Sequence, residues 1–204
     1  MSIKAVAFDY GGVMAFFQDE SAIKDMADMA GIDFSFMKKI YWDNRSIYDQ
    51  GLVDGIGFFK SILADMGIFA DPDLLERLID CDLKSWSHIN PATEALIRSL
   101  KDSGIKTGVL SNIIQDFLDR IYETLPIFDL IDIKVFSCEV GRIKPDKKIY
   151  EILLSRLDCK ADELVYFDDQ QLNVDAALAL GIHAFFWKNP EEARKELELL
   201  GVSC

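Results

Sequence analysis

Apolar positions along this chain repeat with two different periods, and the change between them divides it into unlike parts. Residues 3–8 are a short apolar run that reads as a buried strand, and the run stops at Asp9, followed by Tyr10, Gly11 and Gly12. Helical spacing then takes over. Ala22, Ile23, Met26, Ala27 and Met29 fall at helical intervals before Gly31, and Ile56, Phe59, Ile62, Leu63 and Met66 repeat the pattern before Gly67. An aromatic-rich helical segment at 34–42 lies between them, and Asp71-Pro72 opens another helix with Leu74, Leu75, Leu78 and Ile79 on one face. No strand signal interrupts this block.

From Asn90 onward strands and helices alternate. Asn90-Pro91 caps a helix that Gly104 ends; strands are expected at 105–110, 131–136, 164–167 and 184–187, with helices at about 113–122, 145–157, up to Leu180 and 190–199. Such alternation implies a parallel sheet with crossovers on both faces. The fold class is therefore α/β: a doubly wound, Rossmann-like core made of residues 1–13 and 89–204, with an all-helical cap domain, 14–88, inserted after the first strand. An insert at that position overhangs the carboxyl edge of the sheet, where open α/β sheets bind ligands, so the cap is expected to act as a lid.

The chain's 204 residues suffice for one full core with an insert, and its formal charge of -13 argues against nucleic acid or an anionic membrane surface as a partner. No apolar run approaches the length of a membrane span. Cys81, Cys138, Cys159 and Cys204 stand apart, without zinc-ligand spacing, and the amino terminus lacks a leader pattern. A reduced, cytoplasmic protein is the expectation, with monomer and homodimer equally compatible.

Three strands end in polar groups on one edge: Asp9, Ser111 with Asn112, and Asp168 with Asp169. Lys144 stands in Gly141-Arg142-Ile143-Lys144-Pro145. Taken singly, each has an ordinary explanation, Ser111 and the aspartates as helix caps and Lys144 as a surface lysine. Taken together they differ. Clustered carboxylates repel unless a cation sits between them, and oxygen ligands without a suitable His or Cys suit a hard ion such as Mg²⁺. A hydroxyl, a backbone N–H at a helix start and a lysine complete what is needed to hold a phosphoryl group, with Asp9 available as nucleophile.

On four motifs the chain resembles the haloacid dehalogenase superfamily of aspartate-nucleophile hydrolases, in its phosphatase branch with a small helical cap. Phe8-Asp9-Tyr10-Gly11-Gly12-Val13 is similar to the family's first motif, Val109-Leu110-Ser111-Asn112 to its second, Gly141 to Pro145 to the lysine motif, and Phe167-Asp168-Asp169-Gln170-Gln171-Leu172-Asn173 to the acidic fourth. The resemblance implies that Asp9 is the catalytic nucleophile, becoming an aspartyl-phosphate, and that Mg²⁺ is held by Asp9, the Gly11 carbonyl and Asp169. It also implies that Ser111, the N–H of Asn112 and Lys144 bind the phosphoryl group, with Asp168 and Asn173 in support.

One position departs from the family pattern. Phosphatases of the family usually carry a second Asp two residues after the nucleophile, to protonate the leaving group, and here Gly11 stands there. Such a group contributes roughly 10² to 10⁴ in rate. Members with Asp-x-Gly, sugar-1-phosphate phosphatases among them, resemble this chain. The expected activity is Mg²⁺-dependent hydrolysis of a small phosphorylated metabolite, a sugar phosphate being one candidate. The alternatives are 2-haloacid dehalogenation, whose halide leaves without a proton, and a non-catalytic or weakly active binding protein on this fold. A Gly11→Asp substitution is expected to raise turnover if the missing proton limits it. In the cap, Tyr41, Trp42, Arg45 and Tyr48 cluster; Arg45 suits a substrate-reading role, while His88 and His183 read as structural.

Overall fold

The computed structural model describes residues 2–203. Five parallel strands, β1 (Ala5–Phe8), β2 (Lys106–Ser111), β3 (Ile133–Phe136), β4 (Leu164–Asp168) and β5 (His183–Phe186), form one sheet in the order β3-β2-β1-β4-β5. The first strand in sequence is thus the middle one, which explains why all four of its residues are apolar and buried. Its alternation splits the core. Val6 and Phe8 join one hydrophobic layer, and Ala5 and Ala7 the other.

Helices cover both faces, as the alternation of elements indicates. On one side lie α5 (Pro91–Asp102) and α10 (Pro190–Leu199), and on the other α8 (Lys147–Leu157) and α9 (Gln171–Ala179). The second face is close-packed around small residues: a Cβ added at Gly108 would lie 3.2 Å from that of Ala7 and 3.6 Å from Leu153 Cδ1. Two short helices, α6 (Gln115–Arg120) and α7 (Ser137–Val140), follow β2 and β3.

Between β1 and β2 the chain builds the cap from α1 (Glu20–Ala30), α2 (Phe34–Asp49), α3 (Gly55–Asp65) and α4 (Pro72–Ser85). Each begins at an aspartate, Asp19, Asp33, Asp54 or Asp71, whose side chain accepts an amide hydrogen bond of the first turn. The two strands of chain that enter and leave the cap are bonded to each other, Phe16 N–H to the His88 carbonyl and Asn90 N–H to the Met14 carbonyl, both at 2.9 Å.

Three elements differ from the sequence expectation. Helix α2 runs on to Asp49 rather than stopping at Trp42, because Tyr41, Arg45 and Tyr48 continue one buried face. The helix expected at 113–122 contracts to α6 and a 3₁₀ turn at Tyr122–Thr124, ahead of Pro126. Helix α8 begins at Lys147 instead of Pro145, since the Asp146 carboxylate caps it through Lys148 N–H; Lys144 therefore sits in the preceding loop.

Cap and core are latched by Asp116, at the start of α6. Its Oδ2 accepts from Gly55 N–H at 2.9 Å and from the Tyr48 hydroxyl at 3.2 Å, and the Ser137 hydroxyl donates to the Asp49 carbonyl nearby. Asp116→Ala strands both donors and is expected to cost about 1–3 kcal/mol in urea unfolding. A loss below about 0.5 kcal/mol, the range of ordinary surface substitutions, contradicts this role for the latch.

Candidate active site

Because β1 lies between β2 and β4, the residues that end these three strands emerge side by side at the carboxyl edge. Asp9 follows β1, Ser111 closes β2 and Asp168 closes β4. All three are buried, with Lys144 among them at only 4% exposure, which removes the surface-lysine explanation. The Lys144 ammonium bridges two carboxylates, lying 2.8 Å from Asp9 Oδ1 and 2.7 Å from Asp168 Oδ2. It also donates to the Tyr166 hydroxyl at 3.1 Å.

The loop that carries Lys144 is pinned by Asn112. Its Oδ1 accepts from Lys144 N–H at 2.7 Å, and its Nδ2 donates to the Lys144 carbonyl at 3.2 Å. This side-chain clamp is a role the sequence did not indicate for Asn112, which was expected at the site through its backbone N–H. Asp168 is saturated by Lys144, the Tyr166 hydroxyl, Gln170 N–H and both contacts of Asn173 Nδ2, at 3.0 and 3.1 Å. It acts as a rigid anchor for the lysine. Asn173 supports the acidic loop through these bonds.

Other groups lack partners. Asp9 spends Oδ1 on Lys144 and on Tyr10 N–H, while Oδ2 has no protein partner among the described residues. The Ser111 hydroxyl likewise has none, and α6 is entered through Ile114, so Ser111 is not a helix cap. Asp169 Oδ1 is buried and unpaired. Gly12, at φ +77°, is what lets Asp169 come so near: a Cβ there would lie 2.3 Å from Asp169 Oδ2. Asp9, Asp168 and Asp169 each place an oxygen within 4.8 Å of the others. An orphaned buried carboxylate oxygen in such a trio fits a hard divalent cation, since only a positive charge repays the desolvation.

The electrostatics follow from this crowding. Burial pushes the Asp9 carboxyl up to about 7, against the pull of Lys144. Burial and the charge of Asp168 push Asp169 up to about 6. Burial would raise Asp168 too, but the Lys144 ammonium and the hydrogen bonds it receives hold it below the ordinary carboxylate value. For Lys144 burial is outweighed by Asp9 and Asp168, and its pKa is raised.

Asp9, Ser111, Lys144 and Asp169 line a cavity of about 130 Å³ whose cap side is lined by Phe17, Trp42 and Trp86. Arg45 reaches its wall but is already engaged, with Asp49 at 2.8 Å, Asp82 at 3.2 Å and the Tyr41 hydroxyl. It is a strut of the cap, and Tyr41 and Tyr48 are buried cap core. His88 and His183 do not line the cavity.

Three contributors were missed from sequence: Tyr166, Trp86 and Phe17. Tyr166 had a signal, since it lies two residues before Asp168 in the same strand and so shares its face. Trp86 had none. Its ring fills the space beside Gly11, where a Cβ would meet Trp86 Cζ3 at 2.8 Å. Gly11→Asp therefore requires the indole to move, a condition the expectation of raised turnover did not include.

Residues 3–181 match the model of the haloacid dehalogenase-like hydrolases, and the chain belongs to that family of enzymes. It is 26% identical over 214 residues to a phosphatase, MT3486, of Mycobacterium tuberculosis (strain CDC 1551 / Oshkosh), covering 99% of this chain and 97% of that one. It is 33% identical over 221 residues to bifunctional epoxide hydrolase 2 of Mus musculus, covering 97% of this chain but 39% of the mouse protein. The fold is shared with the wild-type HAD family enzyme bt-2542 of Bacteroides thetaiotaomicron, solved in complex with magnesium and inorganic phosphate. That match has a TM-score of 0.78 and 19% identity, over 92% of this chain and 96% of that one.

The burial of Asp9 has a measurable cost in the metal-free protein. Unfolded, Asp9 ionises near the ordinary carboxylate value of about 3.9; folded, it keeps its proton up to about 7. Between these values the folded state binds more protons, so stability falls as pH rises through the window. In EDTA, Asp9→Asn is expected to be more stable than wild type by at least about 1 kcal/mol above pH 7, with the advantage vanishing near pH 4. An equal difference at both pH values in urea unfolding contradicts the assignment.

Proposed function

We propose that this hydrolase is a Mg²⁺-dependent phosphomonoesterase that works through an aspartyl-phosphate at Asp9 on a small phosphorylated metabolite. The observation that carries the reading is the pairing of one engaged and one free oxygen on Asp9. Lys144 and Tyr10 N–H fix Oδ1, and Oδ2 is left to attack. The unpartnered Ser111 hydroxyl and the Lys144 ammonium supply contacts for the phosphoryl oxygens, with Asp168, Asn112 and Asn173 positioning that lysine.

Asp9, Asp169 and the Gly11 carbonyl are the groups that would hold Mg²⁺, and the unpaired Asp169 Oδ1 supports this choice. When bound, the ion neutralises charge on the phosphoryl group and on the carboxylates around it. The two cleavage steps belong to the protein side. Asp9 displaces the alcohol oxygen, and water then displaces Asp9 from phosphorus, returning a free carboxylate and orthophosphate. A bound magnesium and phosphate in the bt-2542 enzyme and the phosphatase name of the M. tuberculosis relative are consistent with this chemistry. Sugar phosphates are among the candidate substrates through the Asp-x-Gly resemblance.

Dehalogenation is disfavoured by Asp169. A halide needs no cation to leave, so a third, partly buried carboxylate whose Oδ1 is buried and unsatisfied would be a cost without a use. A purely binding role leaves unexplained a carboxylate with Oδ1 fixed by Lys144 and Oδ2 free.

Two readouts test the proposal. Mg²⁺ is expected to raise the melting temperature of the wild-type chain, with Asp169→Asn losing most of that shift. Phosphate release from a metabolite panel should require Mg²⁺ and fall at least about 10³-fold in Asp9→Asn. Equal release by wild type and Asp9→Asn, or a melting temperature indifferent to Mg²⁺, overturns it.

A further inference from the structure

The wall of the cavity beyond the phosphoryl site is aromatic. Phe17 and Trp42 stack, with ring centroids 5.9 Å apart and planes at 18°, and Trp86 meets both edge-on, at 5.4 Å from Phe17 and 6.4 Å from Trp42. These rings are not simply cap core. Phe17 is 55% exposed and Trp42 37% exposed, so faces that could be covered by a ligand are open to solvent. Trp86 is held in place from two directions: its indole N–H donates to Asp82 at 3.3 Å, and its carbonyl accepts from the Tyr10 hydroxyl at 2.7 Å.

Outside the phosphoryl-binding groups, the polar side chains lining the cavity are Arg45 and Asp49, which are bonded to each other, and Gln170, whose amide is the one group left free among the described residues. Few partners therefore remain for the hydroxyls of a polyol, whose burial without them is unfavourable. A flat apolar group faces no such cost. It buries area against three rings and gains their edge and face contacts.

The chemistry at position 11 points the same way by an independent route. Trp86 occupies the space into which a side chain at Gly11 would extend, so no acid stands there to protonate a departing oxygen. An alkoxide leaves poorly without a proton. An aryloxide, with a conjugate acid near the tyrosine value of about 10, leaves as the anion.

We infer that the preferred substrates are aryl phosphate monoesters, their ring docked against Trp86, Phe17 and Trp42. The inference rests on the phosphomonoesterase reading given above. Asp9 attacks phosphorus, the bond from phosphorus to the aryl oxygen breaks, and its electron pair departs on the aryloxide, which takes a proton from water. A second water attacks phosphorus, the bond to Asp9 breaks, and orthophosphate leaves. The sum is aryl phosphate plus water giving a phenol and phosphate.

The test measures kcat/KM with Mg²⁺ for phenyl and 2-naphthyl phosphate, benzyl phosphate, glucose 1-phosphate and glycerol 3-phosphate. In parallel, tryptophan fluorescence follows binding of phenylphosphonate and methylphosphonate. Phenyl and naphthyl phosphate should exceed glycerol 3-phosphate by about 10² or more, with benzyl phosphate between, because it keeps the ring but not the good leaving group. Phe17→Ala should lower the naphthyl-to-glycerol ratio about two- to tenfold, since one aromatic contact is worth roughly 0.5–1.5 kcal/mol. Trp86→Ala should lower it further, and Phe17 is exposed enough that its variant folds whatever Trp86→Ala does.

Equal kcat/KM for aryl and alkyl esters, or a preference for glucose 1-phosphate, overturns the inference and leaves the phosphomonoesterase reading intact. No hydrolysis of any ester, with phenylphosphonate still binding tighter than methylphosphonate and losing that advantage in Phe17→Ala, overturns that reading while supporting ring recognition. No hydrolysis and no aryl advantage in binding overturns both.

Discussion

One ammonium group between two buried carboxylates organises this protein. Lys144 reaches Asp9 from a loop before α8, and it reaches Asp168 at the end of β4 with the same atom. Removing it would leave two aspartates buried against each other at the centre of the sheet edge, a far larger cost than any surface ion pair repays. Much of the neighbouring polar structure serves to hold that nitrogen: the Asn112 clamp on its backbone, Tyr166 beside it, and Asn173 on the far side of Asp168. Even so, one cation faces three carboxylates. Burial first, and the neighbouring carboxylates after it, push up the carboxyls of Asp9 and Asp169, while Lys144 and hydrogen bonds hold that of Asp168 down. The site is built with a deficit of positive charge, and the proposed divalent ion would offset that deficit.

The cap answers a different constraint. Its helices bury an ionic knot, Arg45 with Asp49 and Asp82, and turn aromatic rings toward the cavity. Trp86, at the end of α4, links the two halves, since Tyr10 of the core bonds its carbonyl and Gly11 makes room for its ring. A glycine at position 11 and a tryptophan at position 86 are therefore one feature seen from two places. The missing side chain two residues after Asp9 and the aromatic wall are the same structural feature.

Much of this was readable along the chain, for reasons that particular residues make clear. The strands were legible because they are short, largely apolar runs bounded by turn residues and alternating with helices, and the aspartate caps of the helices were legible because their chemistry is local. Asp9, Ser111, Lys144 and Asp169 could be named from their places at strand ends and in the motifs that resemble the family, and the structure brings them to one cavity. What could not be read were distances between segments remote in sequence. Nothing in the sequence around Arg45 announces Asp82, 37 residues away, so a buried strut looked like a free substrate-reading arginine. The same holds for Trp86, which comes to Gly11 across the whole cap. The longer α2 and the later start of α8 were misjudged because packing in one case, and a side-chain cap at Asp146 in the other, decided the helix ends.

The claim on which the rest stands is that Asp9 takes up the phosphoryl group. Borohydride reduces an aspartyl-phosphate to homoserine, and peptide mass spectrometry locates the changed residue. Quenching the wild-type chain during turnover with Mg²⁺ and an aryl phosphate should place homoserine at position 9, and omitting either component should abolish it. Phosphate release with no modified residue, or a modification at another carboxylate such as Asp168 or Asp169, contradicts the account.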